Sequence, residues 1–388
     1  ILSLPLAALV EKPIHSPERD NGGISPKSYW RVIDSLNAGL AKCFEDENEA
    51  VDALDSKLRE TIRCQMIADV KVGTFLSGGI DSSLVSAIAQ HVSDEKVCTY
   101  TIGFAEKEYD ESSYAERIAR HLGTDHLTMQ VTPADALDVV PSLSTIYDEP
   151  FADSSQIPAL LVSRLARQHV TVCLSGDGGD ELFAGYNRYI WADYLWRRLQ
   201  PVPFPLRKAA GHLLEMPSPA FWDGLYRTMS MLRGRSHSPS RLVGLKLQKL
   251  AGFMQQPDIQ RGYEYLLSYW HRPDELIRDR LNNQRSSFTE SLVSSASFID
   301  CAMYMDQMMY LPGDNLAKVD RASMAASLET RLPLLDHEVV DLSWRIPVSM
   351  KVRGSTSKWA LRQVLNKYVP QELIDRPKMG FSVPIDLW

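Results

Sequence analysis

Two glycine-rich stretches concentrate the groups that could do chemistry. The first is Ser77-Gly78-Gly79-Ile80-Asp81-Ser82-Ser83. Gly78 and Gly79 lack Cβ, so their backbone can take unusual dihedrals and press against a ligand. Ser82 and Ser83 open a predicted helix, whose first N–H groups have no partner and whose dipole is positive there. Ser77 adds a hydroxyl. Together these bind a phosphate or pyrophosphate. Asp81 suits an anion site only if it holds a cation that bridges to the phosphates, and Mg²⁺ is the usual one. A plainer reading makes the stretch a loop with Asp81 or Ser82 as an ordinary helix N-cap. The strand before it and the helix after it favour the phosphate reading. No G-x-x-x-x-G-K-[ST] occurs at this position, so no P-loop lysine faces a γ-phosphate.

The second stretch is Ser175-Gly176-Asp177-Gly178-Gly179-Asp180-Glu181, with three carboxylates in five residues. Like charges that close are costly unless a cation or a basic group compensates them. A structural loop can carry Gly-Asp-Gly, but an acidic cluster after a buried strand points to metal or positive groups. The nine histidines show no H-E-x-x-H or other ligand spacing and receive no role.

The elements that position these stretches follow from periodicity. Residues 70–76 and 170–174 are apolar and β-branched, as in buried strands. Further strands are predicted at 96–103 and 126–131. Helices are predicted at 49–69, 84–92, 111–122, 134–147 and 157–169. Strands alternating with helices imply an α/β fold, a parallel twisted sheet with helices on both faces. Ligands of such sheets sit beyond the carboxyl ends of the strands, where both glycine-rich stretches and Ile102 fall. From 186 to about 300 the texture is helical and dense in aromatic residues and arginines. A nucleic-acid surface is one reading; helix core with solvated charge is the commoner one. Residues 1–30 carry turn signals at Pro13, Pro17 and Pro26 and read as a short strand, a loop and a linker.

Composition narrows the class. The 388 residues are 44% hydrophobic and 23% charged, which suits a globular protein of two or three domains. A net charge of −7 and a pI near 5.8 supply no global basic field for nucleic acid. Cys43, Cys64, Cys98, Cys173 and Cys301 are odd in number and form no C-x-x-C pair. This argues against a disulfide framework or a zinc site and fits a reducing cytoplasm. Cys98 and Cys173 read as core residues. No apolar run is long enough to cross a bilayer. The apolar start lacks a basic leader and an initiator Met, so it is not read as a signal peptide. The chain is expected to begin and end inside a longer protein.

The first stretch resembles the pyrophosphate-binding loop of the PP-loop ATP pyrophosphatases, which adenylate a substrate. Both stretches together resemble the synthetase domain of glutamine-dependent asparagine synthetases. The resemblance extends through Asp148-Glu149-Pro150-Phe151-Ala152-Asp153-Ser154-Ser155, Leu316-Ala317-Lys318-Val319-Asp320-Arg321-Ala322-Ser323-Met324, Leu328-Glu329-Thr330-Arg331-Leu332-Pro333 and Gly354-Ser355-Thr356-Ser357-Lys358. It covers residues 49–388, with a helical insertion at 186–300 and an apparent truncation at the C-terminus. Residues 1–48 read as a linker or the remnant of a glutaminase domain.

The resemblance implies that aspartate attacks the α-phosphate of MgATP, forming β-aspartyl-AMP and pyrophosphate. Ammonia, normally from glutamine hydrolysed by the missing domain, then displaces AMP. It implies ATP and pyrophosphate binding by Leu76, Ser77, Gly78, Gly79, Asp81, Ser82, Ile102, Ser175 and Gly176. Asp81 and Asp180 match the Mg²⁺ positions. Lys358 matches a lysine on pyrophosphate and α-phosphate; without the resemblance it reads as a solvated helix lysine. Asp177, where many relatives have Glu, and Glu181 match acids near the adenylate and complete the expected catalytic set with Lys358. Some relatives read the substrate with an Arg in the 152–156 region; this chain has Asp153-Ser154-Ser155 there. Asp320, Arg321, Glu329 and Arg331, expected on a helix–loop, read equally well as an internal salt-bridge network. The resemblance allows a homodimer and implies neither nucleic acid nor membrane. The alternatives are the same chemistry on another carboxylate, as in polysaccharide or peptide modification or β-lactam synthetases, and a non-catalytic nucleotide-binding module.

Overall fold

The computed structural model describes residues 28–106, 108–232, 243–268, 270, 295–375 and 384. The expectations for residues 1–27, and for part of the helical stretch before residue 300, lie outside these.

Five parallel strands form one sheet among the described residues: β1 Val72–Phe75, β2 Cys98–Phe104, β3 Asp125–Val131, β4 Val172–Leu174 and β5 Glu329–Arg331, in the order β3-β2-β1-β4-β5. The order reverses between β1 and β4, which leaves a crevice at their carboxyl ends. Helices α3 (Ile80–Val92), α4 (Ser112–Leu122), α5 (Pro133–Tyr147) and α6 (Gln156–Arg167) connect the strands. The sheet separates two apolar cores. One gathers Leu76, Leu84, Ile88, Ile118 and Leu174; the other gathers Tyr100, Ile102, Val139, Leu160 and Cys173. Helices therefore cover both faces, as the alternating pattern predicts.

Two boundaries differ from expectation. The first helix after the loop starts at Ile80 with Gly79 as N-cap, ahead of Ser82 and Ser83. The segment around Glu329 and Arg331 is the edge strand β5, not a helix–loop. Three residues, two of them charged, give no apolar run to read, and charge is what an edge strand tolerates. Arg331 donates to Glu329 and to the Gln65 and Ile67 carbonyls, while Arg321 pairs with Glu149 and bonds the Tyr147 carbonyl, so both arginines are structural.

Ahead of the sheet lie α1 (Val32–Leu40) and α2 (Glu47–Gln65). Leu36 of α1 is fully buried in the first core, so the packed unit takes in a helix upstream of residue 49. After β4 come α7 (Gly179–Leu182), α8 (Asn187–Leu199), α9 (Phe204–Glu215), α10 (Pro219–Leu232), α11 (Val243–Met254) and α12 (Ile259–Leu267). Here the aromatic–basic mixture is divided: Arg207 lies over Trp196, and Tyr189 and Tyr263 are buried, while Trp191, Trp270 and Tyr194, with Arg198 over it, are exposed. Then α13 (Phe298–Met305) runs into a π-helical segment, Asp306–Leu316, and into α14 (Ala317–Ala325). After β5 follow α15 (His337–Arg345), α16 (Val348–Lys351), α17 (Trp359–Leu365) and α18 (Gln371–Ile374). Among the described residues no helix is long and apolar enough to cross a membrane, and all five cysteines are free. Cys173 is buried as expected; Cys98 is partly exposed.

Lys351 is fully buried at the end of α16. Among the described residues its Nζ has no hydrogen-bond partner, and it lies 4.9 Å from the centre of the Trp344 ring. Burial pulls its ammonium down to about 8, against the opposing charges of Asp300 and Cys43. Between that value and the ordinary one near 10.5, the unfolded chain binds the proton more tightly than the native state. Stability therefore rises with pH across this window, and below it the buried charge is a standing cost. Lys351→Met is expected to stabilise the protein at pH 7 by about 1–3 kcal/mol and to flatten the rise above pH 8. Thermal unfolding over a pH series checks this; an unchanged pH dependence would refute it.

Candidate active site

A cleft of about 1500 Å³ opens at the carboxyl ends of β1, β2 and β4. Leu76, Ser77, Gly78, Gly79, Asp81, Ser82, Ile102, Ser175, Gly176, Asp177, Asp180 and Lys358 all line it, so the structure brings together every predicted residue except Glu181.

The first wall is the turn from β1 into α3. Gly78 adopts a φ of +75°, a left-handed conformation that favours glycine. The turn is braced from within. Gly79 N–H donates to Ser77 Oγ at 3.3 Å, Ser77 N–H donates to Ser82 Oγ at 3.2 Å, and the two hydroxyls are 3.0 Å apart. No side chain caps α3, and the residues of its first turn, Ile80, Asp81 and Ser82, line the cleft. The second wall is the turn after β4. A Cβ on Gly176 would lie 2.7 Å from Ser82 N and 2.8 Å from Asp81 C, so this glycine lets the two turns meet. Leu76 and Ile102 are almost fully buried and give the cleft an apolar floor.

Lys358 enters from far along the chain. Its ammonium pairs with Asp81, from α3, and with Asp180, from α7, at 2.7 Å for the latter. Its side chain is buried, and its backbone is left-handed at φ +56° as the N-cap of α17. A non-glycine residue held there is a sign of functional constraint. Burial pulls the ammonium down, but Asp180 and Asp81 outweigh it and hold it above the ordinary lysine value. A Cβ on Gly185 would collide with Asp180 and with Lys358 Cε, so the fit is tight. This is not the solvated helix lysine of the plainer reading.

Asp177 is half-buried and accepts from Ser175 Oγ at 2.5 Å. Burial pushes its carboxyl above the ordinary range. Glu181 is 1% exposed and sits one layer behind the cleft wall. Its Oε1 accepts from Tyr186 Oη at 2.8 Å and from Asn315 Nδ2 at 2.8 Å, and both of those residues line the cleft. Gln307 Nε2 donates to the Glu181 carbonyl at 3.1 Å. Burial, helped by Asp180, pushes the Glu181 carboxyl up to about 7.

On the opposite side Lys318 donates to Asp153 Oδ2 at 2.8 Å and to Asn315 Oδ1 at 3.4 Å. Asp153 also accepts from the Ser155 N–H and hydroxyl. Burial acts to raise Asp153, but Lys318 and Ser155 prevail and hold it below the ordinary carboxylate range. Tyr186, Asn315 and Lys318 are site residues that sequence reading missed. Lys318 stood within a quoted motif but had no role; Asn315 lies 134 positions from Glu181, and no spacing rule connects them.

The donor set bears on a metal. Among the described residues no group of three or more His, Cys, Asp or Glu side chains is placed to hold an ion. Asp81 and Asp180, both bonded to one ammonium beside an open helix N-terminus, fit Mg²⁺ that takes its remaining ligands from nucleotide phosphates and water. They do not make a self-sufficient metal centre.

Comparison with known proteins follows the same lines. The sequence profile of the family described as asparagine synthase matches residues 53–388. The glutamine-hydrolysing asparagine synthetase 1 of Bacillus subtilis (strain 168) is 32% identical over 371 residues, covering 95% of this chain and 54% of that protein. A putative glutamine-hydrolysing asparagine synthetase of Mycobacterium bovis is 32% identical over 353 residues, covering 89% and 50% respectively. A Penicillium rubens protein named amidase chyE is 23% identical over 424 residues, covering 99% and 58%. The chain spans about half the length of the curated relatives it matches.

Proposed function

The chain belongs to the asparagine synthase family, and from that premise we propose that it carries the ATP-dependent half of asparagine formation. In this reading aspartate is amidated through β-aspartyl-AMP. The observation that carries it is the meeting of Lys358 with Asp81 and Asp180 beside the uncapped start of α3. Fixed positive charge and backbone N–H groups there suit a leaving pyrophosphate. Backbone groups of residues 77–82 hold the phosphates, and Leu76, Ile102, Ser175 and Gly176 receive the adenosine. Asp81 and Asp180 would hold Mg²⁺, which when bound offsets phosphate charge.

An aspartate side-chain oxygen attacks the α-phosphorus, and the bond to pyrophosphate breaks. Ammonia then attacks the acyl carbon, AMP leaves with the bond electrons, and the surplus proton passes to a base. Glu181, reached through the Tyr186 hydroxyl, is that base; Asp177 takes the proton from an incoming ammonium and so delivers it as ammonia. The Lys318–Asp153 pair supports an α-amino acid as acceptor, since adjacent positive and negative groups match a zwitterionic head. It stands where some relatives carry the reading arginine. Residues 49–388 are the synthetase unit in this proposal, and ammonia comes from glutamine hydrolysed by a further domain.

A second reading keeps the chemistry and changes the carboxylate. It is favoured by the similarity to a protein named as an amidase and by the lack of an arginine within residues 152–156. Product analysis with ATP, Mg²⁺, ammonium and aspartate separates the two. Equal amounts of AMP, pyrophosphate and asparagine are expected. AMP formation only with another carboxylate would overturn the substrate, and ADP formation would overturn the adenylation mechanism.

A further inference from the structure

The helical part inserted after α7 has no role in the reaction as described, yet the ion pair that joins it to the π-helical segment lies against the site. Asp306, the first residue of the π-helical segment, is fully buried. One of its oxygens accepts three hydrogen bonds: from Arg188 at 2.7 Å, Tyr189 at 2.5 Å and Tyr263 at 2.8 Å. Arg188 also donates to the Tyr263 hydroxyl at 3.0 Å. The other face of the Arg188 guanidinium serves the site, lying 3.8 Å from the centre of the Tyr186 ring and 4.6 Å from that of Tyr310. Tyr186 is the residue whose hydroxyl donates to Glu181.

We propose that the Arg188–Asp306 pair is a positioning device for Glu181: it clamps the Tyr186 ring so that the Tyr186 hydroxyl stays on the Glu181 carboxylate. The inference rests on the reading of Glu181 as proton acceptor in the amide-forming step. Arg188 belongs to α8 and Asp306 to the π-helical segment, so the clamp locks the helical part to the segment that carries Asn315, the second donor to Glu181. A buried ion pair is poor evidence of stabilisation but suits geometric specification. Here the guanidinium performs two tasks, donating to a carboxylate and lying over the Tyr186 ring.

The charged and titratable groups around Glu181 are Asp180 on its own helix, Tyr186, and Lys358 from the start of α17. Of the π-helical segment packed on α7, Asp306 is held by Arg188, Tyr189 and Tyr263, and Asp314 faces Asp153, Lys318 and Tyr310. Asp300 of α13 accepts from Ser297; on α15, Glu338 bonds Lys57, Asp341 bonds Trp30, and Arg345 lies over Phe44. Without the clamp the Tyr186 ring turns and carries its hydroxyl off the Glu181 carboxylate, and the amide-forming step slows.

Two variants test this. Arg188→Lys keeps the charge toward Asp306 but loses the planar stacking. Arg188→Met with Asp306→Asn removes both charges together, so no buried charge is left alone. For each, the pyrophosphate–ATP exchange rate reports adenylation, and single-turnover amide formation reports the second step. The expected result is exchange within about twofold of wild type and amide formation slower by about tenfold. Tyr186→Phe should give the same selective loss, and combining it with Arg188→Lys should add nothing. Folded variants with amide formation at the wild-type rate overturn the inference, as do equal losses in both steps, which mark a purely structural pair. A wild-type chain that makes adenylate but no amide overturns the Glu181 reading and the inference with it. A wild-type chain without exchange overturns the adenylation reading instead.

Discussion

Lys358→Met is expected to lower pyrophosphate–ATP exchange by about 10³-fold while the chain still folds. Removing one well-placed donor from a pre-organised anion site costs that order on its own, and this ammonium also neutralises two carboxylates. Without it, Asp81 and Asp180 face the nucleotide phosphates as like charges unless a metal offsets both. Arg at this position should not rescue the activity, because Gly185 leaves no space beside Lys358 Cε for a larger head. Folding should survive, since Asp81 and Asp180 are only part-buried and can be hydrated. Exchange within tenfold of wild type in a folded variant would remove Lys358 from the mechanism.

The second large effect separates the two chemical steps. Glu181→Gln keeps the shape and the acceptor oxygen facing Tyr186 and Asn315 but cannot take a proton. Adenylation should remain near wild type, and amide formation should fall by about 10²- to 10⁴-fold. In the wild type, that step should gain rate with pH through about 7, where burial has pushed the carboxyl. The same displacement predicts a stability trend. The native state binds the Glu181 proton more tightly than the unfolded chain, whose value is near 4.5, so stability falls as pH rises from there toward 7. The Gln variant should lack that fall. Equal loss of both steps, or a pH profile unchanged in the variant, would show that Glu181 is not the proton acceptor.

How far these features were legible depends on how local their signals are. The strands β1, β2 and β4 are apolar runs and β3 alternates polar and apolar residues, so each can be read from a window of a few residues. The edge strand β5 has no such run, and its pairing with β4 is a tertiary event. Asp81 and Asp180 stand out because carboxylates beside glycines need a physical reason. Lys358 carries no local mark: only the resemblance singled it out, and only the fold shows it buried and left-handed. The π-helical segment contains Pro312 and Gly313, which read as a break in any helix. Its wide turns are what bring Gln307 and Asn315 toward Glu181. Tyr186 looked like one aromatic among many, because its role depends on Arg188 behind it and Glu181 in front.

The contact between Lys358 and Asp81 joins positions 277 apart in the chain. Closing a loop of that length costs chain entropy that nearby contacts do not return. The sheet can pair β1, β2 and β3 early, from neighbouring segments. The phosphate site cannot be completed until α17 has docked. Nucleotide affinity is thus a reporter of completed folding. By mass action, saturating ATP should hold α17 on the sheet and protect its backbone amides from hydrogen exchange more than those of β3.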